Sequence, residues 1–130
     1  MGRMGQQIIK NSKKDKTFII SSLTENKIFS GKIGGIQPQL NSAIAFKETD
    51  IIIDFTIPKC TFQVLKIALK LKKRVVIGTT GFTKKEESLI KKFSKKIPIL
   101  KAGNMSLGIN LLMYLTEITS SSLGKNFLSK

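Results

Sequence analysis

Residues 75–81 read Val75-Val76-Ile77-Gly78-Thr79-Thr80-Gly81, an aliphatic run that ends in a turn of glycine and threonine. Consecutive aliphatic residues of this kind are typical of a strand buried in a parallel sheet. Two residues further on, Thr83 and Glu86 have the spacing of a capping box, which predicts a helix to about Lys96. The sequence here therefore predicts a strand, a tight turn and a helix, which is the repeating unit of an α/β fold.

The same alternation extends in both directions along the chain. Patterns of β-branched and aliphatic residues predict strands over 17–23, 51–56, 75–77 and 97–100, with 51–56 buried on both faces. Helical periodicity and capping signals predict helices over 5–14, 41–48 with Asn41 as N-cap, 61–71, 83–96 and 106–123, the last ended by Gly124. The intervening stretch 24–38 is predicted to be a loop. We therefore expect a Rossmann-like parallel sheet with helices on both faces.

Small and polar residues follow each predicted strand. In a parallel sheet with right-handed crossovers, the carboxyl ends of all strands lie at one edge, where ligands of such folds bind. Backbone, hydroxyl and amide groups at this edge can hold and orient a flat ligand. The segments concerned are Leu23-Thr24-Glu25, Asp54-Phe55-Thr56, Gly78-Thr79-Thr80-Gly81 and Ala102-Gly103-Asn104-Met105.

The beginning of the chain carries a glycine pair in Gly2-Arg3-Met4-Gly5, followed by a predicted helix. Glycines at a helix N-terminus allow close approach of a pyrophosphate to free N–H groups. A full dinucleotide fingerprint has a strand and another glycine before this point, and neither is present. Two interpretations stay open from these residues alone: half of a phosphate-binding turn, or a flexible start to an ordinary helix.

Composition narrows the class of protein. The chain has 130 residues, a net charge of +15 and 41% hydrophobic residues, which is sufficient for one globular domain. No apolar run approaches the ~20 residues of a membrane span, and no signal peptide is recognisable. A single cysteine, Cys60, excludes an internal disulfide and suits the cytoplasm. We interpret Cys60 as structural, because the chain has no histidine to act as its base.

The lysines are spread along the whole chain and arginine occurs only at positions 3 and 74. This distribution favours a solvated surface over a nucleic-acid interface, which would concentrate charge on one face. A positive field would still attract a phosphate-rich cofactor or an acidic substrate.

Four segments together resemble the N-terminal domain of the dihydrodipicolinate reductase family. The resemblance covers nearly the whole chain and is weakest over 24–48. Its specific parts are the I-G-T-T-G-F turn and the N-x-S-x-G-x-N turn, in the order and spacing of the family. The matching pieces are Gly2–Gly5, Asp54-Phe55-Thr56 with Pro58, Val76–Phe82 and Ala102–Asn110.

The resemblance implies that NADH or NADPH binds here and that a cyclic dicarboxylate is reduced in lysine and diaminopimelate biosynthesis. Gly2, Arg3, Met4 and Gly5 would then hold the pyrophosphate, and Glu25 the adenosine ribose, with Thr24 as the alternative. Gly78, Thr79 and Thr80 would line the nicotinamide ribose. The nicotinamide itself would lie against Ala102, Gly103, Asn104 and Met105.

The resemblance also implies what the sequence lacks. The family's first strand would precede Gly2, and its substrate domain, with a histidine pair and a lysine, would follow residue 130. We therefore expect residues 1–130 to be an incomplete cofactor-binding domain with no catalytic residue and no metal site of its own. The full-length enzyme would form a homo-oligomer. The alternatives are a non-catalytic dinucleotide-binding module and, less favoured, a basic nucleic-acid-binding domain.

Overall fold

The computed structural model describes residues 2–124, in which helices alternate with short parallel strands. The α/β class and the parallel pairing predicted from the sequence are confirmed. The helices are α1 (Arg3–Ser12), α2 (Ala43–Phe46), α3 (Pro58–Leu71), α4 (Lys84–Ser94) and α5 (Leu107–Leu123). The strands are β1 (Thr24–Glu25), β2 (Gln39–Leu40), β3 (Ile51–Asp54), β4 (Arg74–Ile77) and β5 (Ile99–Lys101).

Strands β3, β4 and β5 form one parallel sheet in chain order, and β1 pairs with β2 in a separate parallel sheet. In the larger sheet Ile52 is paired with Val75, and Val75 with Ile99. Neighbours in register share a face of the sheet, because side chains alternate along each strand. The register therefore divides the sheet into two chemically different faces.

One face carries the hydrophobic core. Ile52, Val75 and Ile77 are buried on it, and the core residues of α2, α3 and α4 pack with them. At the centre of α3, Leu65 and Ala68 are completely buried. The helical spacing of its apolar residues predicts this inward stripe.

No helix of residues 2–124 covers the opposite face. Ile53 is 50% exposed and Leu100 is 63% exposed, and Val76 between them is half-buried. The prediction that 51–56 is buried on both faces is therefore wrong. The helices that contribute to the core all contact the other side of the sheet, so a continuous apolar run does not by itself distinguish one covered face from two.

The predicted strand over 17–23 is also absent, and Phe18 and Ile19 are exposed to solvent. A β-branched run becomes a strand only where a neighbour supplies a hydrogen-bond ladder. In the described part of the chain the parallel pairing with β2 begins at Thr24. Most of 24–38 is irregular, as predicted, apart from β1 and a turn at Gly34 and Gly35.

That turn reverses the chain between Ile33 and Ile36, which exchange two backbone hydrogen bonds of 2.8 and 3.1 Å. Gly34 and Gly35 have φ angles of 63° and 94°, which side-chain-bearing residues rarely adopt. A Cβ on Gly34 would lie 2.8 Å from the Ile9 side chain. The turn therefore lies against α1, whose Ile9 is buried as predicted.

Helix and strand ends follow local chemistry. Pro58 occupies the first turn of α3, which therefore begins before the predicted residue 61. In α2 the cap is Ser42 rather than Asn41: the Ser42 side chain accepts from the Ala45 N–H at 3.1 Å. The Asn41 amide instead lies 3.1 Å from the sulfur of buried Cys60, which supports the structural interpretation of that cysteine.

Helix α5 begins after its cap Ser106 and ends before Gly124, as predicted. It is strongly apolar, yet none of its residues is buried. Leu112, Met113 and Tyr114 each expose more than half of their surface. The predicted apolar face is therefore present without a covering surface in the described chain.

Candidate functional site

The carboxyl ends of β3, β4 and β5 lie side by side and define what we call the β3–β5 edge. The pairing continues one residue beyond the strands, because the Gly78 N–H donates to the Asp54 carbonyl at 2.9 Å and the Ala102 N–H to the Ile77 carbonyl at 3.3 Å. Three of the four predicted ligand segments therefore start next to one another. They are 54–56, 78–81 and 102–105.

Gly78 is needed for a close internal contact. A Cβ placed on it would lie 2.0 Å from the Phe55 ring. The half-buried ring thus covers the backbone of the first residue after β4. This contact explains the glycine by packing within the fold, where the sequence suggested only proximity to a ligand.

Thr79 and Thr80 have different environments. Thr79 is 2% exposed, and its hydroxyl accepts a hydrogen bond from the Thr56 N–H at 2.8 Å. Thr80 is exposed at the edge, and its hydroxyl has no hydrogen bond to another residue of 2–124. Of the two predicted threonines, Thr80 is the one whose side chain can reach a ligand.

Below these loops, Asp54 is the buried polar centre of the edge at 3% exposure. Its carboxylate accepts from the Thr56 hydroxyl at 2.6 Å and from the Thr61 hydroxyl at 2.5 Å. The Thr79 hydroxyl lies 3.4 Å from the same carboxylate. Hydrogen bonds from three threonines offset the cost of burying this charge.

The third loop is ordered by its own side chains. Asn104 accepts from the Ser106 N–H at 3.0 Å, and its amide lies 3.4 Å from the Asn110 side chain. A Cβ on Gly103 would meet no atom within 4 Å, so the space above this backbone is open. Met105 is partly exposed beside it. An open backbone next to a fixed amide suits contact with a planar ring.

The glycine pair at the chain start lies at the beginning of α1. Gly2 is the N-cap, and no side chain accepts from the first-turn N–H groups. These donors and the positive end of the helix dipole suit an anion, and Arg3 adds a formal charge. Among the hydrogen bonds of residues 2–124, none joins Gly2–Gly5 to the β3–β5 edge. Gly2–Gly5 therefore stays a predicted anion-binding turn, and no hydrogen bond of the described residues links it to the other loops.

Glu25 is the last residue of β1, is half-buried and is paired in register with Leu40. Glu25 therefore lies within a strand of the smaller sheet, whereas the sequence placed it after a strand over 17–23 that is absent. Its position in a sheet separate from β3–β5 is the part of the site that sequence periodicity did not indicate.

Charges and rings border the edge on the β5 side. Lys101 forms an ion pair with Glu87 at 2.9 Å, and its ammonium lies 5.4 Å from the centre of the Phe82 ring. Phe82 in turn meets Phe62 edge to face, with 6.2 Å between ring centres. These contacts tie the turn after β4 to both α3 and α4.

Two residues of the edge carry roles that the sequence did not assign, namely Asp54 as hydrogen-bond centre and Phe55 as the cover of Gly78. The available signal was a carboxylate at the end of an aliphatic run with threonines at positions 56 and 61. Among residues 2–124, no group of three acidic, cysteine or histidine side chains could hold a metal ion. No helix in the same range is long and apolar enough to cross a bilayer.

Comparison with known proteins gives a consistent result. Residues 1–105 match the family model described as dihydrodipicolinate reductase, N-terminus. The chain is 69% identical over its full length to a 4-hydroxy-tetrahydrodipicolinate reductase of Pelagibacter ubique, of which the match covers 50%. It is 41% identical, over 95% of its length, to the enzyme of the same name from Buchnera aphidicola of Schizaphis graminum, again covering 50% of it.

The chain thus spans about half the length of the curated relatives that it matches. The family model covers most of the chain, including β1 to β5 and the three loops of the β3–β5 edge. The I-G-T-T-G-F turn, the parallel sheet and this match agree, and the chain belongs to the dihydrodipicolinate reductase family.

Proposed function

We propose that this chain is the part of a reductase that binds NADH or NADPH, and that the whole enzyme reduces 4-hydroxy-tetrahydrodipicolinate. The observation that carries the proposal is the β3–β5 edge, where the loops after three parallel strands lie side by side. The names of the relatives supply the substrate. The carboxyl edge of the parallel strands supports the proposal, because nicotinamide cofactors bind at this edge in doubly wound sheets.

Within this proposal each loop has a separate task. The Thr80 hydroxyl and the backbone of Gly78 hold the nicotinamide ribose. The open backbone at Gly103 lies against the nicotinamide, with Ala102, Asn104 and Met105 around it, and Thr79 supports the loop from inside. Gly2–Gly5 binds the pyrophosphate, and Glu25 the adenosine ribose.

When bound, the nicotinamide would supply the hydride, and the protein's task is to bind and orient it. The open space at Gly103 and the free Thr80 hydroxyl fit this task. We assign no proton donor to residues 1–130, since the chain has no histidine. We propose that most contacts to the dicarboxylate substrate lie in the half of the relatives that this chain does not match.

In the first experiment the 130-residue chain is titrated with NADH and with NADPH, and isothermal titration calorimetry measures the binding. Saturable binding of either cofactor supports the proposal. In parallel, residues 1–130 replace the matching half of the Pelagibacter reductase, and the chimera is assayed for substrate-dependent oxidation of the cofactor. A folded chimera that binds neither cofactor would contradict the proposal.

The chimera also allows a site-directed test. Thr80→Val removes a hydroxyl and keeps the side-chain shape, so we expect weaker cofactor binding by about 1–2 kcal/mol. Thr116→Val is the matched control, because within residues 2–124 the Thr116 hydroxyl bonds only to the Leu112 carbonyl of its own exposed helix. Equal dissociation constants for Thr80→Val and the unsubstituted chimera would remove Thr80 from the site.

We propose further that the enzyme acts in the cytoplasm and that the full-length protein assembles as a homo-oligomer. A reductase that depends on NADH or NADPH needs a compartment that supplies these cofactors. Sedimentation analysis of the chimera tests the assembly, and a monomer at micromolar concentration would contradict it.

A further inference from the structure

Burying the Asp54 side chain at its position in β3 carries an unfavourable desolvation free energy. Asp54 lies on the inward face of β3, two residues after Ile52 and in register with Ile77, both of which belong to the core. A carboxylate among such neighbours is stable only when its oxygens accept hydrogen bonds. An aliphatic residue would fill the same place without that requirement, so the carboxylate has a task other than packing.

Its carboxylate accepts hydrogen bonds from threonine side chains in three separate segments of the chain. The Thr56 hydroxyl bonds to one carboxylate oxygen at 2.6 Å and the Thr61 hydroxyl to the other at 2.5 Å. The Thr79 hydroxyl lies 3.4 Å from the second oxygen and accepts from the Thr56 N–H at 2.8 Å. The loop after β3, the first turn of α3 and the loop after β4 are thereby joined at one side chain.

We propose that Asp54 is a positioning residue for the cofactor: through Thr56 and Thr79 it fixes the loop that presents Thr80 at the β3–β5 edge. Thr79 is buried and Thr80 is exposed, so anchoring the first determines where the second lies. Asp54 itself is buried and does not touch the ligand. This inference rests on the proposed function for its final step.

The test uses Asp54→Asn, which keeps the size of the side chain and removes its charge and one acceptor oxygen. Glu86→Gln is the matched control, because Glu86 is an exposed carboxylate bonded to Thr83 at a helix start, outside this network. Two quantities are measured in the chain: hydrogen exchange of the Thr56 amide by NMR, and the dissociation constants for NADH and NADPH.

We expect Asp54→Asn to speed exchange of the Thr56 amide and to weaken cofactor binding, each by about tenfold, as for a lost charge-assisted hydrogen bond. Glu86→Gln should change neither. Because Asp54 acts through Thr79, Asp54→Asn combined with Thr79→Val should weaken binding no more than the stronger single substitution. Additive losses would contradict the proposed route.

The two proposals fail in different ways. If neither the unsubstituted chain nor the folded chimera binds a cofactor, the proposed function fails. Unchanged Thr56 exchange in Asp54→Asn would overturn the positioning role independently. If the chain binds but Asp54→Asn binds equally well, the inference alone is wrong. If Asp54→Asn does not fold, Thr79→Ser and Thr79→Val replace it. Thr79→Ser keeps the hydroxyl and should keep the cofactor affinity, whereas Thr79→Val should lower it. Equal affinities of the two variants would refute the inference.

Discussion

At the scale of single residues, the β3–β5 edge depends on contacts that the sequence pattern does not predict. Gly78 follows a strand and begins a turn, so the sequence suggests that it gives a ligand access to the backbone. In the structure the Phe55 ring occupies the space beside it. The glycine thus serves a neighbour 23 positions away in the chain, which only tertiary structure can bring next to it.

Gly78→Ala tests this contact. The new methyl carbon would lie 2.0 Å from the ring, far inside van der Waals contact, so Phe55 must move. We expect a loss of about 1–3 kcal/mol in the free energy of unfolding. Gly103→Ala is the control, since its methyl group meets open space, and should change stability by less than about 0.5 kcal/mol. Urea unfolding followed by circular dichroism measures both, and equal losses would argue against the contact.

Glu25 carries the second prediction at this scale. If its carboxylate binds the ribose hydroxyls, it also repels the 2′-phosphate of NADPH. Glu25→Gln in the chimera should therefore narrow a preference for NADH, measured as the ratio of the two dissociation constants. Equal losses for the two cofactors would assign the role to Thr24 or to neither residue.

At the scale of elements, the capping box of α4 is the most complete local signal. The Thr83 side chain accepts from the Glu86 N–H, and Glu86 accepts from the Thr83 N–H at 2.7 Å. The Thr83 N–H foremost, and then the Thr83 hydroxyl, which donates to the same carboxylate at 2.8 Å, hold the pKa of Glu86 below its ordinary value of 4.5. The charged form is therefore favoured in the folded helix.

Glu86 consequently makes stability depend on pH in acid. A lowered folded-state pKa means that its contribution is complete above the ordinary value of 4.5 and is lost as pH falls through the lowered pKa. Thr83→Ala should reduce the free energy of unfolding by about 1 kcal/mol at neutral pH. Thermal unfolding of the unsubstituted chain and of Glu86→Gln should converge as the pH is lowered; a constant difference between them would count against the assignment.

Elements with local determinants were predictable from the sequence. The capping box of α4, the aliphatic run of β4 and the ends of α5 each depend on adjacent residues, and the structure has them near the predicted positions. The irregular structure of 17–23 was not predictable from the sequence, because β-branched residues form a strand only beside a hydrogen-bonding neighbour. The cap of α2 was misplaced by one residue for a similar reason, since Asn41 is engaged by Cys60 from a distant helix.

The site divides in the same way. The edge and its loops follow from strand order, which alternation of elements predicts. The sequence does not predict the different burial of Thr79 and Thr80 or the network around Asp54. Burial of one hydroxyl and exposure of the next depend on how two loops and the start of a helix meet.

At the scale of the whole molecule, residues 2–124 cover one face of the sheet β3–β5 and leave the other uncovered. Ile53, Val76 and Leu100 form an apolar row across the uncovered face, and α5 is apolar without a buried residue. Parallel sheets normally have both faces covered. Apolar surface of this kind favours self-association of the chain.

A pair of adjacent substitutions tests the two faces. Ile52 is 6% exposed, so Ile52→Thr should reduce the free energy of unfolding by about 2–4 kcal/mol through a cavity and a buried hydroxyl. Ile53→Thr, on the uncovered face, should cost less than about 1 kcal/mol and should reduce light scattering at high concentration. An equal loss of stability would mean that a further surface covers this face in solution.

The chain order of β3, β4 and β5 has a consequence for how the protein folds. Each strand pairs with the next one along the chain, and paired residues such as Ile51 and Arg74 are only about two dozen positions apart. Closing loops of this length costs less entropy than closing the longer loops that pairing of non-consecutive strands would need. The segment from α2 to β5 contains its own pairings and nearly all of the core. We therefore expect this segment to form before the N-terminal residues pack against it.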